Sequence, residues 1–93
     1  MDKRLNSPPP GVELGPLSAE VFAILAEHTA FPWPVLKAQA TRHNVDPADL
    51  GAADLRMLVD VLATGVERFT SPGAGAKVRA ALLRLIQRVE WQR

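Results

Sequence analysis

The chain has 93 residues, with 11 Lys and Arg set against 10 Asp and Glu, 47% hydrophobic residues, two Trp, three Phe and no cysteine. Without cysteine there is no disulfide framework, no thiolate nucleophile and no Cys ligand, so packing alone must hold the fold. No apolar run reaches the roughly 20 residues that span a bilayer, and the two basic residues near the start have no apolar stretch behind them; the reading is a cytoplasmic protein with no membrane partner.

Residues 1–16 (MDKRLNSPPPGVELGP) are rich in Pro and Gly and poor in patterned apolar residues. They read as a disordered leader, with Ser7 to Pro10 as a short polyproline stretch. Residues 17–93 then form a single domain. A folded part of about 75 residues buries only roughly 60% of its unfolded surface, which favours a surface site over a deep internal one.

Ser18 reads as an N-cap with Leu17 and Phe22 as a hydrophobic staple, opening a first helix to His28 with Val21, Phe22, Ile24 and Leu25 on its apolar face. Pro32 stops that helix, and Phe31 to Pro34 makes a rigid elbow. The second helix starts at Pro34 and carries Val35, Leu36, Gln39, Ala40 and His43 on one side, ending at Asn44 in a left-handed conformation. Asp46 to Asp49 reads as a capped helical start, cut short by Gly51.

The clearest periodicity runs from Asp54 to Phe69, where Leu55, Leu58, Leu62, Val66 and Phe69 recur at helical spacing. Met57, Val61 and Gly65 form a second apolar edge on this helix, and Gly65 is expected to admit a close helix crossing. Thr70 to Gly73 breaks the chain, the Gly73 to Lys77 stretch reads as a flexible hinge, and a last helix from Ala76 to Trp91 carries Val78, Leu82, Leu85, Ile86 and Val89 on one stripe. The expected fold class is all-α: a small compact bundle of four main helices plus one short helical turn.

No residue set spells out catalysis. Ser18 and Ser71 stand where helix caps are expected, and neither lies beside a recognisable base. His28 and His43 lack the spacing that would place two ligands on one helical face, and Asp46, Asp49 and Asp54 lack the alternating pattern of a calcium loop. The residues therefore predict no enzyme, no cofactor, no metal and no small-molecule substrate.

Charge divides along the chain. Residues 13–67 hold eight acidic side chains and three basic ones, whereas residues 68–93 hold six basic ones and only Glu90. One reading is that the last helix neutralises the body it packs on. A sharper one follows from the helical wheel, where Lys77, Arg84 and Arg88 fall on one line away from the apolar stripe, with Trp91 placed at the stripe's other border. Trp and Arg are the residue types most enriched at binding hot spots.

These features predict a non-enzymatic protein-interaction module, binding another protein or a second copy of itself through Lys77, Arg84, Arg88 and Trp91, with Phe31 and Trp33 of the elbow as a second anchor. The alternative is a helix-turn-helix DNA-binding regulator, since Ala40 to Val45 resembles the turn of such motifs. Against it, the segment after Pro47 is short, contains Asp49 and offers no side chain that reads base edges.

Overall fold

In the computed structural model, which describes residues 8–91 without the side chain of Phe69, four helices pack around one core. They are α1 (Pro16–His28), α2 (Pro32–Arg42), α3 (Ala52–Phe69) and α4 (Ala74–Trp91). Expectations placed on residues 1–7 and on the Phe69 side chain lie outside the described residues. The all-helical bundle of the sequence reading is the architecture observed, but Asp46 to Asp49, expected as a short helical turn, is a single hydrogen-bonded turn closed by the Asp49 N–H on the Asp46 carbonyl at 3.1 Å and does not go on into helix.

Each helix starts earlier than its sequence signals suggest, because the starts are made by Pro and Gly rather than by capping hydroxyls. Pro16 and Pro32 sit in the first turn, where a missing N–H costs no intrahelical bond. Ser18 is accordingly not an N-cap. It lies in the first turn of α1, wholly buried, and its Oγ accepts the Leu50 N–H at 2.8 Å, joining α1 to the segment before α3. The N-cap position of α3 is Gly51, whose N–H is taken by Asp54 Oδ2 at 3.0 Å, so the acidic residue closes the helix start from inside.

The end of α2 follows its sequence signal. Asn44 has φ 59°, and the Val45 N–H reaches the Ala40 carbonyl at 2.8 Å while the Asn44 N–H reaches that of Thr41 at 3.2 Å. That pair of bonds is a Schellman closure, which satisfies two carbonyls the helix end would otherwise orphan.

The core consists of one side of every helix: Val21 and Leu25 from α1, Leu36 and Ala40 from α2, Leu55, Leu58, Leu62 and Val66 from α3, and Val78, Leu82, Leu85 and Ile86 from α4. The chain preceding α1 is drawn into it. Leu14 packs on the core and the Gly15 N–H is bonded to the Ala48 carbonyl at 2.7 Å, so the leader docks before the helix begins. Further up, Pro10 and Gly11 form a turn rather than an extended stretch: the Val12 N–H meets the Pro9 carbonyl at 3.1 Å and Gly11 takes φ 88°.

Gly75 belongs to α4 and is no hinge. It is buried, and a Cβ there would lie 2.7 Å from the Ala63 carbonyl oxygen of α3. This is the closest helix approach that a glycine permits here. Gly65 admits a second, looser one, its absent Cβ falling 3.3 Å from Val35 Cγ1 of α2.

Candidate functional site

The sequence points to the outer surface of α4. Helices advance about 100° per residue, so Arg84 and Arg88 stand within about 20° of Lys77 on the outer side of α4. Trp91 does not border the apolar stripe. Fourteen residues on from Lys77, it stands about 40° from that residue and on the same side as the arginines. It is 90% exposed, against 7% for Trp33.

The ridge of cations flanks a groove between α1 and α4. Two cavities of about 480 Å³ each share Ala81 and Arg84 and so form one trough. Its floor is small and apolar, with Ala23 and Ile24 from α1 and Ala81 and Leu85 from α4. Its α1 wall carries Glu20 and Glu27, and its α4 wall carries Lys77, Arg84 and Arg88.

Part of the positive charge of α4 is spent within the molecule. Arg88 pairs with Glu20 across the groove, Arg79 Nε lies 3.0 Å from Asp60 Oδ1 of α3, and Glu90 of α4 pairs with Arg56 of α3. All are exposed pairs, each worth about 0–1 kcal/mol. Arg84 turns its Nε toward the Ala80 carbonyl of its own helix at 3.4 Å, which leaves the guanidinium edge toward solvent. Lys77 and Arg84 form no ion pair among the described residues.

The elbow separates its two aromatics. Trp33 lies inside α2 with its indole in the core, whereas Phe31, just before the helix, is 48% exposed. The Phe31 N–H is held by Thr29 Oγ1 at 3.1 Å, a local bond that sets the turn out of α1. Phe31 thereby stands at the mouth of a second groove, of about 430 Å³, formed with Pro34, Val35 and Ala38 of α2 and Gly65 of α3. A cavity of about 360 Å³ continues it, sharing Ala38, Gln39 and Gly65 and adding Arg42, Val61 and Arg68.

Sequence reasoning missed this second groove. Its signal was present in the Met57, Val61 and Gly65 edge of α3, which reads equally as a packing edge. Gly65 packs closely on α2, whereas Met57 is 47% exposed. Gln39 Oε1, on the groove, is buried and has no hydrogen-bond partner among the described residues; the same holds for His43 Nε2 at the end of α2.

The histidines end helices: His28 is the last residue of α1 and His43 follows α2, both half-buried. No group of three or more potential metal ligands occurs among the described residues, and none of the described helices is long and apolar enough to cross a membrane. The Asp46 to Asp49 segment makes a single turn, too short to lie along a DNA groove. No family model matches the sequence, and comparison with curated proteins and with solved structures finds no match.

Proposed function

We propose that this domain is a non-enzymatic protein-interaction module whose working surface is the outer side of α4, and that its partner presents an acidic face there. The observation that carries the reading is the position of Trp91. A tryptophan exposed to 90% buries little apolar area in the free molecule, and it follows Lys77, Arg84 and Arg88 on one side of a helix. Such a residue gains most from being covered by a partner, and the cations along that side of the helix select the sign of the surface that covers it.

The internal ion pairs shape this reading. Arg88 is shared with Glu20, so an acidic partner competes with an exposed pair worth about 0–1 kcal/mol, a small penalty. Lys77 and Arg84 meet no such competition among the described residues. The partner is another protein, or a second copy bringing its own acidic α1 face.

The test combines Arg84→Glu with Trp91→Ala in the full chain. Both positions are exposed, so the variant is expected to melt as the parent does. Affinity capture and light scattering should then show loss of a partner, or of self-association, that the parent retains. An unchanged set of partners and an unchanged oligomeric state would remove α4 as the working surface.

A further inference from the structure

The groove between α2 and α3 shares no residue with the α4 ridge and has its own chemistry. On the α2 side, Phe31 just before the helix lines the groove together with Pro34, Ala38 and Arg42, which recur at intervals of four along one face of α2. On α3, Val61, Gly65 and Arg68 line it, and Met57, one turn before Val61, lies outside the lining but on the same side of the helix. Each helix thus offers the groove an apolar stripe followed by an arginine, and the missing Cβ of Gly65 leaves the floor between them low.

The shape of this surface decides between kinds of occupant. From Gly65 to Met57 is eight residues, about 12 Å along α3. A single inserted side chain would fill the end near Phe31 and leave Met57 in water. A helix laid in the trough and running one turn past Val61 would cover both, packing its ridges between those of α2 and α3.

Charge then limits which helix fits. Asp60 borders the groove, but its Oδ1 holds Arg79 at 3.0 Å on the α4 side. Arg42 and Arg68 form no ion pair among the described residues. The unmatched charge along the apolar trough is therefore positive, and like-charged flanks on an incoming helix would be repelled.

We propose that the α2–α3 groove docks an amphipathic helix of another protein, one with apolar side chains at i, i+3 or i+4, and i+7 and with acidic residues along its flanks. The docked helix covers Phe31 and Met57, and its carboxylates meet Arg42 and Arg68. This site is independent of the α4 surface, and a chain can possess either one alone.

The experiment uses two helical peptides of about 16 residues, each with Leu at those spacings, one flanked by Glu and the other by Lys. Each is titrated into the isotopically labelled full chain and followed by amide chemical shifts. The Glu peptide should move the amides of Phe31, Ala38, Val61 and Gly65, and the Lys peptide should bind at least about tenfold more weakly.

Ala38→Glu, at an exposed position, should weaken the Glu peptide by about tenfold or more while the melting curve stays that of the parent. Arg84→Glu should leave this affinity unchanged, which separates the site from α4. Equal binding of the two peptides, shifts confined to α4, or no shift at about 1 mM peptide would each overturn the proposal. Self-association abolished by Ala38→Glu would assign the groove to a second copy, and overturn it also.

Discussion

Ser18 joins two parts of the chain that no local rule connects. Its hydroxyl accepts the Leu50 N–H 32 residues away, in a place where neither group meets water. Removing the hydroxyl leaves a buried amide without a partner, which costs about 1–3 kcal/mol. For a domain of this size that is a fall in Tm of roughly 4–8 °C for each kcal/mol. Ser18→Ala should show it, and hydrogen exchange should locate it: the Leu50 amide loses protection while that of Ala19, bonded to the Gly15 carbonyl, keeps it. A cap residue would behave in the opposite way, loosening the first turn of α1. Capping signals in a sequence name residues that satisfy their own helix, and a serine that serves a distant strand of backbone carries the same letters.

At the scale of helices, the existence of α1 to α4 follows from apolar spacing, since the Leu and Val positions that recur every three or four residues are the ones found in the core. The end of α2 at Asn44 is legible for an equally local reason, because few residues tolerate a positive φ. The starts of α1, α2 and α3 are not, because Pro16, Pro32 and Gly51 carry no side chain that announces a cap. Close approach between helices is the least legible feature, since it belongs to two segments at once. Gly65 and Gly75 look alike in sequence, yet one faces a side-chain methyl of Val35 at 3.3 Å and the other a backbone carbonyl at 2.7 Å. Alanine in mid-helix gains about 1 kcal/mol over glycine, so Gly65→Ala, where Val35 can shift by a few tenths of an ångström, should change stability by less than about 1 kcal/mol. Gly75→Ala must push α4 away from α3 and should cost about 1–3 kcal/mol. Denaturant melts of the two variants check the ordering, and equal stability would mean that α3 and α4 do not meet at Ala63.

For the molecule as a whole, the segregation of charge along the chain is legible, but its consequence depends on which helices become neighbours. The acidic residues of α1 face α4 across a groove, and those of α3 reach α4 from its other side, so α4 is neutralised at Arg79 and Arg88 and remains cationic at Lys77 and Arg84. Trp91 reports on that remaining field, and Trp33 provides an internal control because its indole is in the core. With Trp33→Phe, emission comes from Trp91 alone and should be readily quenched by small ions. Iodide, drawn to the cations, should quench it more strongly than caesium at low ionic strength. The difference should shrink as salt rises toward 1 M, where the screening length falls to about 3 Å. With Trp91→Phe, the remaining Trp33 emission should be blue-shifted and nearly indifferent to either ion. If caesium quenched Trp91 as well as iodide did at low salt, the field at the end of α4 would not be positive, and an acidic partner would have no electrostatic reason to settle there.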